Sequence, residues 1–506
     1  MFWTEAAGAR ALKERFVSDL EGTTMSEVAT LTLVCSSGAL LRRSLASAFS
    51  RPPRWNHPES YLALAVDFVF IVLPAILVLT VLSDFAAEVC VALLVASSAF
   101  SVRSKQIQER QREREGQRGR AGRNGGTPGG HSAMNSTTDG APYLWDLLTE
   151  YRAILCLYTF ISILAVDFKV FPRRFAKAEH YGTGVMDVGV GSFVVQDALF
   201  SARYGGGQQR GGGAAATRKA LATSAQLAAV GLARIAAVRA IDYHEHVGEY
   251  GTHWNFFLTL AVVKAAAVAV PPAACGLVGL VVLCSYQAAL SLLGLAAYVN
   301  SPDRDPTSLL SLNKEGVVSL VGYLGLHCVA RFFALSSKMH LLLDRGRSPS
   351  KHPAATPYNH FYNSASFALV CWALAFVLDR SVERVSRRSV NATYIFWTLA
   401  TNLTWVCQLH VCRLLFEQRE RIHLFHAVSK FAFLAFIFAN VLTGLVNSLY
   451  NTLEVGSAAA ICVLIAYMAV VCASSSALDK RGGGGKLGKI LFGGSQKIEH
   501  TAESEL

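Results

Sequence analysis

Long apolar runs alternate with short polar ones along almost the whole chain. Runs near the ~20 residues that a helix needs to cross a bilayer core lie at 26–41, 61–82, 84–100, 147–166, 185–201, 216–238, 255–270, 274–297, 317–336, 361–379, 393–415, 424–447 and 456–475. The pattern predicts an all-α polytopic membrane protein with about thirteen transmembrane helices. It divides the chain into a polar N-terminal segment (1–25), three helices (26–100), a basic loop (101–146), ten helices with their connecting loops (147–475) and a polar tail (476–506). The first 25 residues are polar where a cleavable leader would be apolar, so none is expected.

Composition agrees with a membrane chain. Of 506 residues, 52% are hydrophobic and only 16% charged, against about 25% charged in a typical soluble chain. A water-soluble enzyme and a disordered protein are both excluded. The glycines and prolines follow no three-residue period, which excludes collagen. None of the eleven cysteines forms a C-x-x-C pair, and most sit in apolar runs, where a thiol acts as a small hydrophobe. The net charge of +12 is expected to mark cytosolic loops rather than a nucleic-acid partner.

Where Lys and Arg collect sets the expected orientation. The stretch 103–123 holds eight basic residues against three acidic ones and runs into Gly/Ser/Thr-rich sequence up to Gly140. It reads as an irregular, disordered cytosolic loop. With thirteen crossings the N-terminus is then lumenal and the C-terminus cytosolic. Arg42, Arg43, Arg51 and Arg54 are expected in the cytosol, with Lys338, Arg345, Arg347, Lys351, Arg419, Arg421 and the tail from Lys480. The sequon at Asn391 falls in a lumenal loop and the one at Asn135 in the cytosol. One basic cluster opposes this frame: Lys169, Arg173, Arg174 and Lys177 land on the lumenal side.

That cluster is the first candidate site. It begins with Asp167 at the end of a span, Pro172 forbids the helix from continuing, and Gly182 and Gly184 allow a tight return. A carboxylate and several cations are thereby folded back against the membrane face; the plain alternative is an interfacial anchor whose basic side chains reach headgroups. A second dense segment runs from Arg234 through Asp242, His244, His246, Glu249 and His253 to Asn255. Arg234 stands inside an Ala-rich span, where an ionisable residue is a functional suspect. The histidines lack the fixed helical spacing of a metal site such as H-E-x-x-H, so no metal is expected. Asp303-Arg-Asp305 between two prolines reads as a solvated turn, and Asn440, Thr443, Gly444 and Asn447 form a small-polar stripe on one helix.

These segments carry a resemblance. Asp167-Phe…Val-Phe-Pro-Arg-Arg-Phe-Ala-Lys177…Tyr181-Gly-Thr-Gly184…Met186-Asp187 resembles the lumenal motif of the GPI inositol acyltransferases, the PIG-W family. So do Tyr243…His246…Glu249-Tyr-Gly…His253-Trp-Asn255-Phe-Phe, then Asn313-Lys-Glu-Gly316, then Asn440 to Asn447. The opening Lys13-Glu…Phe16-Val-Ser…Leu20…Gly22-Thr-Thr24 is similar as well, so the likeness covers nearly the whole chain. It departs in loops, at 103–140 and 205–213, and at Lys169, where a Pro or neutral residue is expected.

The resemblance implies a multi-pass enzyme of the endoplasmic reticulum membrane. It would transfer a fatty acyl group, typically palmitoyl, from acyl-CoA to the inositol 2-hydroxyl of glucosaminyl-phosphatidylinositol. The family's catalytic Asp and Lys fall on Asp167 and Lys177, with Lys177 able to stabilise charge or to pair with Asp167. Arg173, Arg174, Asp187, Arg234, His253, Trp254, Asn255, Asn313, Lys314, Asn440 and Asn447 are the expected substrate-binding residues. Acyl-CoA serves as co-substrate with no further cofactor. The partners are that donor, the phosphoinositide acceptor and membrane lipids, with no nucleic acid and no obligate protein partner. A histidine-type membrane O-acyltransferase acting on another lipid, or a polytopic transporter, are the rival classes.

Overall fold

The computed structural model describes residues 16, 18–49, 61–121, 140–202, 212–240, 248–337, 357–416 and 421–481. Lys13, Asn135, His244, His246, the basic loop at 338–351, Arg419 and the tail beyond 481 lie outside the described residues. Apart from two isolated bridges joining Gly22 and Thr23 to Thr183, the regular structure among the described residues is helical.

The main helices, in order, are α1 (Met25–Thr32), α2 (Val34–Ser47), α3 (Tyr61–Val78), α4 (Ala86–Ala121), α5 (Gly140–Ala165), α6 (Val188–Ser201), α7 (Gly212–Ala240), α8 (Phe256–Val268), α9 (Cys275–Leu292), α10 (Lys314–Ser336), α11 (Pro357–Ser381), α12 (Ala392–Phe416), α13 (His423–Lys430), α14 (Ala432–Leu449) and α15 (Ser457–Lys480). Helix is present in each of the thirteen apolar runs. Among the described residues, eight stretches are long and apolar enough to cross a membrane, and α6 and α8 are shorter apolar helices. Local chemistry explains the boundaries. The Thr24 hydroxyl accepts from Glu27 N at 3.2 Å to open α1, as an N-cap should. Pro74 in α3 has no N–H to give, and the turn before it, Phe68–Val72, is widened so that Leu73 N–H reaches back to Phe68 O.

Helix α5 forms the centre of the bundle, packed by α6, α12, α13, α14 and α15. Leu147, Leu148, Tyr151, Phe160, Ile161 and Leu164 along it are fully buried. The outer helices instead turn apolar side chains outward, such as Leu94 and Val95 on α4, Leu277, Leu280 and Val281 on α9, and Leu369, Val370 and Val377 on α11. A continuous apolar exterior of this kind suits lipid rather than water. Several ionisable residues inside the bundle are paired across helices. Asp197 on α6 accepts from Lys264 on α8 and lies 3.5 Å from His327 Nε2 on α10.

Two expectations are corrected here. The basic stretch after residue 103 is not irregular throughout, because α4 continues as helix to Ala121. Its Gln, Glu, Lys and Arg residues are strong helix formers. Arg42 and Arg43, expected at a cytosolic edge, are buried inside the bundle. Arg42 Nε donates to Asp67 at 2.8 Å, and Glu150 accepts from both Arg43 and Arg413. Buried guanidinium groups are tolerated because each has a carboxylate.

At one end of the bundle the loops knit into a layer. Glu179 N donates to Leu20 O, Gly182 N to Val385 O, Thr252 N to Leu312 O and Gly316 N to Tyr250 O. The loop after α5 thus joins the N-terminal segment and the loop between α11 and α12, and the loop before α8 joins the start of α10.

Candidate active site

Beneath that layer lies a cavity of about 730 Å³. Its polar part is lined by Asp167, Lys177, Glu179, Arg234, Glu249, Arg387 and Arg388, and its apolar part by Phe193, Phe256, Phe257, Trp405 and Phe436. It follows α5 from Asp167 down to Leu155, twelve residues or about 18 Å at 1.5 Å per residue.

The loop after α5 builds the polar part. Phe168, Phe171 and Phe175 are fully buried and pin the turn at Pro172. Arg173 closes the end of α5, its Nη2 donating to the carbonyls of Val166, Phe168 and Phe171 at 2.8–3.2 Å, with its guanidinium stacked 3.8 Å from the Phe16 ring centroid. Burial lowers its pKa to about 10 against the pull of Asp167, so it stays a cation at neutral pH. Arg174 points elsewhere, to Glu27 and Asp84. Neither arginine lines the cavity.

Asp167 does. Its Oδ2 accepts from Asn447 Nδ2 at 2.7 Å, so the small-polar stripe of α14 reaches across to the carboxylate. Asn440 lines the same wall, with its amide donating to Phe436 O. Lys177 finds its carboxylate in Glu249, with Nζ and Oε1 2.5 Å apart. Burial pushes the Glu249 pKa up, but Lys177 and then Arg387 outweigh it and hold the group at about 2. The ion pair that sequence reasoning offered between Lys177 and Asp167 is thus replaced by one with Glu249.

Asp187 lies fully buried behind the wall. Arg387 Nε donates to its Oδ1 at 2.8 Å, and the backbone N–H groups of Ala178 and Gly184 donate to Oδ2 at 3.1 and 2.7 Å. The glycines around it are required by the backbone. Gly182 holds φ at +140°, and a Cβ on Gly184 would lie 2.0 Å from Ala176 O. Asp187 clasps the two ends of the loop and carries Arg387.

The second segment splits into wall and support. Arg234 on α7 and Trp254 line the cavity, and Arg234 adds positive potential at Glu249. Asn255 caps α8, its Oδ1 accepting from Phe257 N and Leu258 N. The Asn313–Gly316 motif supports this loop from below. Asn313 Oδ1 accepts from His253 N at 2.7 Å. Buried Lys314 donates to Ser301 O and Asp303 O, and Glu315 pairs with Arg304. Gly316 leaves room for the Trp254 indole, since a Cβ there would lie 2.4 Å from its Cδ1. His253, Asn255 and Asn313 therefore hold the loop that presents Glu249, Lys314 holds the turn at 301–303, and none of the four lines the cavity. Asp303-Arg-Asp305 is a turn in which Asp305 accepts from Thr307 N.

Four charged wall residues, Glu179, Glu249, Arg387 and Arg388, were missed as site residues from sequence. Glu249 stood inside a recognised motif without a role. Arg387 and Arg388, in the loop between α11 and α12, carried the same signal as the Arg173 cluster, namely basic residues on the side that charge patterning expects to be poor in them. Arg388 pairs with Glu179. Asn391 follows them, is fully buried and N-caps α12, accepting from Tyr394 N at 3.0 Å.

This chain is similar over nearly its whole length to known proteins. The GPI-anchored wall transfer protein 1 of Aspergillus oryzae is 34% identical over 93% of this chain and 98% of its own. The protein of the same name from Candida albicans is 27% identical over 94% of this chain and 99% of its own, and an uncharacterized protein of Arabidopsis thaliana is 32% identical over 80% and 84%. With the GWT1 family profile matching residues 9–478, across the cavity and every helix that builds it, the chain belongs to the GWT1 family.

Proposed function

We propose that this protein is an inositol acyltransferase of GPI-anchor biosynthesis and that the cavity is where it moves a fatty acyl group, palmitoyl in the expected case, from acyl-CoA to the inositol 2-hydroxyl of glucosaminyl-phosphatidylinositol. The observation that carries this reading is the composition of one continuous space: a carboxylate and an ammonium at its polar part, and aromatic walls running about 18 Å along α5 beyond them. A sugar-alcohol acceptor and an acyl chain need those two environments side by side.

An alcohol attacks a thioester poorly until a base takes its proton. Asp167, oriented by Asn447, accepts the hydroxyl proton, an effect worth about 10²–10⁴-fold for a positioned base. The hydroxyl oxygen bonds to the thioester carbon, and the carbonyl oxygen gains negative charge. Lys177, fixed by Glu249, faces that charge and stabilises it. The C–S bond then breaks, the thiolate leaves, and the proton held by Asp167 passes to it to give the free thiol. Atoms and charge balance without a further cofactor. His253 lies off the cavity, which favours a carboxylate base over a histidine one.

The same reading places the protein in the endoplasmic reticulum membrane with thirteen crossings, the N-terminus and the loop layer in the lumen and the C-terminus in the cytosol. The direct test is acyl transfer by the purified full chain in detergent or nanodiscs, with palmitoyl-CoA and glucosaminyl-phosphatidylinositol. Formation of an alkali-labile acyl ester on the inositol ring is expected. Absence of that product in a folded preparation, with either substrate in excess, would overturn the reading.

A further inference from the structure

The acceptor in this reaction is an anion as well as an alcohol. Its phosphodiester stands on the ring carbon next to the one that bears the reacting hydroxyl, so a group that binds the phosphate must lie close to Asp167 and Lys177. Arg173 and Arg174, the arginines nearest in sequence, are turned away on backbone carbonyls and on Glu27 and Asp84. Arg387 is placed differently. Its side chain is 5% exposed and lines the cavity. Nε is committed to Asp187 at 2.8 Å, while its two terminal nitrogens make no hydrogen bond to any described residue. Asp187 is itself immobilised by two backbone N–H groups, which fixes the guanidinium plane. Positive potential from Arg387 reaches Glu249, the partner of Lys177, so cation and catalytic ammonium share one neighbourhood. A guanidinium anchored through Nε leaves its two terminal nitrogens as a planar two-donor face on the cavity wall, and such a face fits a phosphate diester.

We infer that Arg387, held by Asp187, is the phosphate-binding residue for the phosphoinositide acceptor. Its terminal nitrogens donate to the phosphodiester oxygens and bring the neighbouring hydroxyl onto Asp167. Asp187 is a positioning residue that acts through Arg387. This rests on the acyltransferase reading for the identity of the anion, but binding can be measured without turnover.

The test uses the full chain in nanodiscs with glycerophosphoinositol, free inositol and coenzyme A as probes, read by calorimetry or by shift of the melting temperature. Wild-type protein should bind glycerophosphoinositol in preference to inositol. Arg387→Lys keeps the charge but cannot serve Asp187 and the phosphate together, and should weaken that binding about 10- to 100-fold with coenzyme A affinity unchanged. The double variant Asp187→Asn/Arg387→Met removes both buried charges and should lose glycerophosphoinositol to the same degree. Should both variants fail to fold, wild-type protein still decides the question through the uncharged methyl ester of the probe, which should bind no better than inositol. Wild-type affinity in the Arg387 variants, equal binding of the uncharged ester, or loss of coenzyme A affinity instead would each overturn the assignment. Arg387-dependent phosphoinositide binding in a protein that transfers no acyl group would uphold it and sink the acyltransferase reading alone.

Discussion

The ammonium of Lys177 and the carboxylate of Glu249 lie 2.5 Å apart, and through them the loop after α5 is tied to the loop before α8 at the wall of the cavity. In sequence they are 72 positions apart. Each brings what the other lacks: Glu249 holds Lys177 in place, and Lys177 offsets the burial of the Glu249 carboxylate.

Substituting Glu249→Gln should therefore lower acyl transfer about 10-fold or more while the protein remains inserted, because Lys177 loses its anchor. The pair also sets a pH dependence. Glu249 has an ordinary value of 4.5 and is held at about 2 in the fold. A depressed folded value gives stability that is complete above the ordinary value and is lost as the pH falls toward the folded one. Melting temperature measured from pH 6 to pH 3 should fall more steeply for wild type than for Glu249→Gln. Parallel curves would remove the pair from the stability of the loop layer.

Asp167 and Asn447 make the second prediction. Asp167→Asn preserves size and removes the base, so the initial rate should drop at least ~10²-fold. Asn447→Leu leaves the carboxylate but strips the 2.7 Å bond that orients it. That variant should lose about 10-fold, near the value of one hydrogen bond to a charged group, with the pH of half-maximal rate moved upward as the carboxylate loses a donor. Rates in detergent with matched melting temperatures check both. An Asn447→Leu protein with an unchanged pH profile would leave Asn447 a packing residue.

Much of this was legible in the sequence. Hydropathy placed helix in every apolar run, and Asp167, Lys177, Trp254, Asn440 and Asn447 all reach one cavity. What failed to show was which polar residues point inward. Arg173 and Arg387 look alike as text, each in a basic pair on a loop. Only the fold decides that one closes a helix end through carbonyls while the other lines the cavity. Asn255, Asn313 and Lys314 likewise read as binding residues because they stand in the segments that carry the resemblance, yet their bonds go to backbone groups. Arg42 and Arg43 obeyed the basic-residue rule in number but found carboxylates across the bundle, a long-range match that no local pattern reveals.

Asn391 offers a test that is independent of activity. Its side chain is fully buried, accepts from Ser386 N and Tyr394 N, and donates to Arg384 O at 2.8 Å. A glycan there would break the N-cap of α12, so the sequon should stay unmodified in the folded protein. An acceptor introduced into the exposed turn at 303–307 should be modified if the loop layer is lumenal, and one placed near Gly126 should not. Glycosidase-sensitive mobility shifts read all three sites. A glycan on native Asn391 would contradict the burial, and modification near Gly126 but not in the turn would invert the topology.

The last prediction concerns the buried charges away from the cavity. Glu150 on α5 accepts from Arg43 on α2 and from Arg413 on α12, and none of the three lines the cavity. Three helices thus meet on one carboxylate. Glu150→Gln keeps the shape but strips the anion from between two buried guanidinium groups, and breaking a buried pair in this way costs ~3–5 kcal/mol. The two cations are not equivalent. Arg43 donates to both carboxylate oxygens, and Arg413 to one. Arg43→Met should therefore destabilise more than Arg413→Met, which leaves Glu150 with a bidentate partner, and Glu150→Gln should exceed both. Denaturation in mixed micelles orders the three. Acyl transfer per folded molecule should stay near wild type, since the charges of the cavity are untouched. If Glu150→Gln unfolds at the wild-type midpoint, the three-helix junction is held by packing alone, and the charges add nothing to its stability.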